Sequence, residues 1–200
     1  MKPIERGEVL GLAEYESIRE QFRARVIQEK KARRIALGPN ASCVFESRDT
    51  ALMQIQEMLR TERITREAAI LHEIETYNQL VPGDHEVSAT VLIEIDEKKD
   101  RETFLFEAKG LDRSFSMVIG GVVCPGKHDE AREHPERTTA VHYLKFPFAE
   151  GAERALRDVL EKKKPAADVI VELVVEHPRY SARAALPPAL VQNRAEDLLG

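Results

Sequence analysis

EVSATVLIEI, residues 86–95, decides how the second half of this chain is read. Val87, Ala89, Val91, Ile93 and Ile95 alternate with Ser88, Thr90 and Glu94. A period of two sends the first set to one side of an extended strand and the second to the other, so the segment reads as a half-buried strand. Outward from it, DEKKDRETFLFEAKG reads as a short helix opened by Asp96 and closed by Gly110. RSFSMVIGG alternates Phe115, Met117 and Ile119 with small residues and gives a second strand, and TTAVHYLKFPF gives a third. EGAERALRDVLEKKK sets Ala152, Leu156, Val159 and Leu160 on one helical side, and DVIVELVVEH returns to alternation with Val169, Val171, Leu173 and Val175.

Strand, helix, strand, strand, helix, strand is the order of a ferredoxin-like split βαβ sandwich, with helices on one face of a four-stranded antiparallel sheet. The fold class expected is therefore α+β, with that domain over residues 85–178. Leu92, Val118, Val141 and Tyr143 would project from its second face. Large bare apolar patches are uncommon on monomers, so the N-terminal helices or a second copy of the chain, as a homodimer, should cover them.

Upstream, residues 1–84 read as a helical region with a small β-hairpin. Tyr15, Ile18, Phe22 and Val26 line one side of a long helix that ends by Arg34, and Gly38, Pro39 and Asn40 turn the chain between two short apolar runs. A helix capped by Asp49 or Thr50 follows, carrying Leu52, Ile55 and Leu59, then one capped by Thr65, carrying Ile70, Ile74 and Tyr77. Residues 179–200, with Pro187 and Pro188 ahead of a short helix, form a C-terminal tail.

Composition narrows the function classes. With 42% apolar and 32% charged residues the 200-residue chain is too apolar for disorder and long enough for a full core. A net charge of −5 and a basic stretch, QEKKARR, without an aromatic for base stacking argue against a nucleic-acid partner. No segment approaches the ~20 apolar residues of a membrane span, and MKPIERGEVL carries charges where a secretory leader needs an apolar core, so a cytoplasmic protein is expected. Two cysteines, Cys43 and Cys124, allow neither a disulfide framework nor a cysteine-rich metal site. The phosphate-binding signatures GxGxxG and GxxxxGK[ST] and the nucleophile elbow GxSxG are all missing.

Three segments in order, MKPIERGEVLGLAEYESIREQFRARVIQEKKARRIALGPNASCVFE, TALMQIQEMLRTERI and ERTTAVHYLKF, resemble a bacterial family described as domain of unknown function 3501. The resemblance extends to about Tyr180 and implies no activity or catalytic residue. It does imply association with redox or oxidative-stress metabolism, through a partner that is rubrerythrin-like or an iron–sulfur oxidoreductase.

The densest chemistry lies in GKHDEAREHPERTTAVH, which gathers His128, Asp129, Glu130, Glu133, His134, Glu136 and His142. Imidazoles and carboxylates suit zinc, iron or manganese, so His128, His134 and His142 are candidate metal ligands, although the spacing matches no metal signature and a solvated polar loop explains the run as well. His142 shares its strand face with Ala140, Leu144 and Phe146, which also fits a plain buried histidine. Glu136, Arg137 and His142 are candidate ligand-binding residues, Arg137 through the planar fork that suits anions. A carboxylate reaching His142 would raise its pKa, burial alone would lower it, and the acidic loop favours the first. Two functions are carried forward: a non-catalytic accessory protein beside a redox partner, and a metal- or small-anion-binding enzyme or sensor with its site near His142.

Overall fold

A computed structural model describes residues 1–128 and 134–196. Residues 12–78 hold three helices and a hairpin: α1 (Leu12–Ala32), β1 (Arg34–Ala36), β2 (Ala41–Phe45), α2 (Arg48–Thr61) and α3 (Glu67–Asn78). Then come β3 (Glu86–Ile93), α4 (Lys98–Glu107), β4 (Phe115–Ile119), β5 (Val122–Pro125), β6 (Lys127–His128) and β7 (Val141–Pro147). The chain closes with α5 (Glu150–Leu160), β8 (Val171–His177), β9 (Tyr180–Ala185) and α6 (Pro188–Glu196).

The α+β class expected from the sequence is observed, with two antiparallel sheets among the described residues. One runs β1-β2-β3-β7-β6 and the other β5-β4-β8-β9. The ferredoxin-like sheet would have needed β4 beside β7 and β8 beside β3. Instead β2 takes the free edge of β3, with Cys43 opposite Val91, while β4 lies between β5 and β8. Alternation explains the difference: it fixes which face of a strand is buried and says nothing about which edge it pairs. Both arrangements bury Phe115, Met117 and Ile119.

The two sheets face each other across one core, with Val87, Ala89, Val91, Leu144 and Phe146 from the first and Met117, Ile119, Val171, Leu173 and Val175 from the second. The chain passes between them at Gly126, whose amide bonds the Phe115 carbonyl at 2.9 Å. A Cβ there would stand 3.0 Å from that oxygen and 3.0 Å from the Phe146 ring, so the crossing is tight for any residue with a side chain. The segment read as a tail also belongs to the body. β9 pairs with β8, the Tyr180 hydroxyl donates to the Leu37 carbonyl at the β1–β2 turn, and Leu190, Val191 and Ala195 of α6 join the core.

The N-terminal helices pack over the outer side of the five-stranded sheet, where Tyr143 joins the cluster built from Ile4, Val9, Ile55, Leu59, Ile70 and Ile74. They supply the cover that the sequence left open for Tyr143. Ser47, rather than Asp49 or Thr50, caps α2 by exchanging bonds with Thr50, and α3 begins at Glu67 with Arg66 rather than Thr65 at its cap.

Candidate functional site

β7 alternates with its odd residues turned outward and His142, Leu144 and Phe146 turned into the core. One edge is fully paired to β3, with His142 opposite Val91. On the other edge β6 meets only Leu144 and Lys145, so the Val141–Tyr143 end has no described strand beside it. A cleft of about 520 Å³ opens at that place, a size suited to a small molecule.

Three pieces of chain build the rest of its wall. The turn after α4 supplies Lys109, Gly110, Asp112 and Arg113, and the segment leading into β7 supplies His134, Arg137, Thr138 and Thr139. His128 comes from the end of β6. The first piece is held by a contact of 3.0 Å between His177 Nε2 and the Lys109 carbonyl, the second by the Thr138 amide bonding the Leu105 carbonyl at 2.9 Å. Gly110 sits at a φ of 83°, in the left-handed region, where it starts the short 3-10 turn that buries Leu111 and turns Asp112 toward the cleft.

All three candidate imidazoles therefore lie on one cleft, together with Arg137. They do not lie equivalently. His128 Nε2 stands 3.3 Å from Asp112 Oδ2, both side chains mostly shielded. His134 is exposed, and its Nδ1 accepts the Glu136 amide at 3.2 Å. His142 is 4% exposed, its ring 5.6 Å from that of Phe115, and its Nε2 has no hydrogen-bond partner among the described residues. Among the described residues no three His, Cys, Asp or Glu side chains gather as a metal ion requires. Asp129, Glu130 and Glu133 lie outside the described residues.

Glu136 is exposed and does not line the cleft. The carboxylate that acts on His142 is Asp112, and its pull is outweighed: burial drives the imidazole pKa down to about 4, against smaller upward contributions from Asp112 and from a backbone hydrogen bond at Thr139. The expectation of a raised pKa is thus reversed, because the ring gains a distant charge and loses its water. Arg137 is half-buried on the same wall, and its guanidinium has no hydrogen bond or ion pair among the described residues. In the adjoining hollow of about 320 Å³ the cation Lys145 is already held by Glu86 at 2.6 Å. Lys109, Asp112, Thr138 and Thr139 were not singled out from the sequence. The Asp112–His128 approach joins a 3-10 turn to the end of β6, and no local spacing announces it.

Comparison with known proteins agrees with the fold and adds no activity. No curated protein matches the chain. A crystal structure of a protein of unknown function from Burkholderia pseudomallei superposes with a TM-score of 0.87 at 29% identity, over 98% of this chain and 100% of that one. A family model described as protein of unknown function (DUF3501) matches residues 3–198, so the resemblance carried by the three N-terminal and β7 segments holds over nearly the whole length, and the chain belongs to that family.

Proposed function

We propose that the cleft beside β7 binds a small anionic molecule, with Arg137 as its anchor. The observation that supports this is Arg137, a half-buried residue in the lining of the cleft whose guanidinium has no partner among the described residues. Withdrawing a charge from water is costly unless something pairs with it, and a guanidinium fork matches carboxylate and phosphate oxygens two at a time. Lys109, also in the lining, adds to the same sign of field, and Asp112 is the one carboxylate among the described lining residues. A binding function of this kind serves a sensor or an enzyme equally; the accessory role beside a redox partner is a separate proposal that rests on the family resemblance, and no residue of the cleft carries it.

Isothermal titration with inorganic phosphate and with acetate, on the wild type and on Arg137→Gln, tests the anchor. Saturable binding that weakens at least about tenfold in the variant is the expected result, the loss being that of a charge-assisted pair. Binding of equal strength in both proteins, or none in the wild type at millimolar anion, would sink the proposal.

A further inference from the structure

The cleft has more room than a simple anion on Arg137 fills: about 520 Å³, against the ~30 Å³ that one water takes up in the liquid. The hollow of about 320 Å³ continues it along β7. Val141 and Tyr143 line the first and Tyr143 and Lys145 the second, and all three belong to the outward-facing set of the strand. Val141, 38% exposed, and the half-buried Tyr143 put apolar surface along the way. At the far end the register sets Lys127 of β6 opposite Lys145, so two ammonium groups share one side of neighbouring strands, which is unfavourable without counter-charge. Glu86 is the one carboxylate among the described residues lining that hollow, and it is already engaged. Its Oε1 accepts the Gly83 amide at 2.7 Å and Lys145 Nζ at 2.6 Å. Lys127 is exposed, and its ammonium has no hydrogen bond or ion pair among the described residues.

Resting on the reading of Arg137 as an anion anchor, we infer that the ligand has two anionic ends joined by an apolar linker, that it lies along β7, and that Lys127 holds its second end. Val141 and Lys145 are four residues apart, roughly 13 Å along an extended strand, which sets the scale of the linker once the reach of the two cationic side chains is subtracted. A guanidinium and an ammonium pair with carboxylate or phosphate alike, so two anionic ends are the shared chemistry and the head group distinguishes the sources.

Calorimetry on matched pairs decides it: adipate against hexanoate, suberate against octanoate, and 1,6-hexanediol bisphosphate against hexyl phosphate. In at least one pair the doubly charged member should bind about fivefold tighter, the gain of a partly exposed ion pair and more than the factor of about two that two equivalent ends give by themselves. Lys127→Gln, a change at an exposed position, should cancel that gain and leave the singly charged member unaffected, while Arg137→Gln weakens both members. Three outcomes overturn the inference and leave the anion anchor standing, provided Arg137→Gln still weakens binding. They are no gain beyond about twofold in any pair, a gain that survives Lys127→Gln, and a loss in Lys127→Gln shared equally by both members. No binding by any probe, or binding indifferent to Arg137→Gln, overturns both readings.

Discussion

Glu46, beside the five-stranded sheet, and His142, within it, are each 4% exposed. Glu46, just past the end of β2 and under the N-terminal helices, accepts the Thr90 hydroxyl at 2.6 Å and the Thr50 hydroxyl as well, while its amide bonds the Ser88 carbonyl. His142, on the inner face and in the wall of the cleft, leaves a buried Nε2 without a described partner. A buried polar group whose bonds are all made locks two layers together. One whose bond is left open ties nothing together at that atom, and the difference between the two is measurable as stability.

The largest effect expected is the response to acid. A His142 pKa of about 4 in the folded protein, against ~6.5 unfolded, means the unfolded chain takes the proton more readily. Stability from this group is complete above pH 6.5 and is lost as pH falls toward 4, a total of roughly 3 kcal/mol, most of it above pH 5. Carboxylates with lowered pKa, such as Glu57 held by Arg19 and Tyr15, start to contribute only below about pH 4.5, so the upper part of the fall belongs to the histidine. Urea midpoints measured from pH 7.5 to 5 check this, and a flat profile over that interval would contradict the neutral buried ring.

Next in size, Glu46→Leu should cost about 2 kcal/mol at pH 7, because the Thr90 hydroxyl loses its acceptor in a buried place. Thr50 keeps the Ser47 carbonyl, 2.9 Å away, so the damage centres on Thr90. Thermal unfolding of Glu46→Leu beside Thr90→Val and the double variant gives the coupling directly; additive losses would mean that the pair does not act together. A smaller loss, about 1 kcal/mol, is expected for Tyr180→Phe. Its hydroxyl donates to Leu37 and accepts the Asn40 amide at 3.3 Å, tying the first hairpin to the far sheet, and hydrogen exchange at Asn40 should quicken as global stability falls.

How much of this the sequence shows depends on what kind of question is asked of it. Buried faces were legible residue by residue: Val87 through Ile93, Phe115 through Ile119 and Val169 through Val175 are buried where alternation put them. Pairing partners were not, since β2 and β8 compete for strand edges that have no signature of their own. On α1 the stripe held at Tyr15 and Val26 but failed at Ile18, which is 42% exposed, because Arg19 turns inward to pair with Glu57 beside the Tyr15 hydroxyl. The cleft was half legible. His128, His134, Arg137 and His142 are close in sequence and lie along one wall, whereas Lys109 and Asp112 arrive from a turn whose only local mark was Gly110.

The smallest stability change is the most telling. His142→Leu removes a buried acceptor that has no described partner and replaces the ring with an apolar group of similar bulk between Leu144, Phe146 and Phe115. It loses the contact with the Thr139 backbone and the Phe115 ring, and it gains relief from an unmet hydrogen bond, so the net change at pH 7 should lie within about 1 kcal/mol of zero. The same substitution that costs about 2 kcal/mol at Glu46 would then cost little or nothing at His142. The variant should also lose the decline between pH 6.5 and 5, so that wild type and variant differ more in acid than at neutrality, with the variant the more stable. Midpoints taken at pH 7.5 and pH 5 for both proteins supply the comparison. If His142→Leu destabilises at pH 7 as much as Glu46→Leu does, the open bond at Nε2 is satisfied within the folded chain, and the histidine is a structural group like the glutamate.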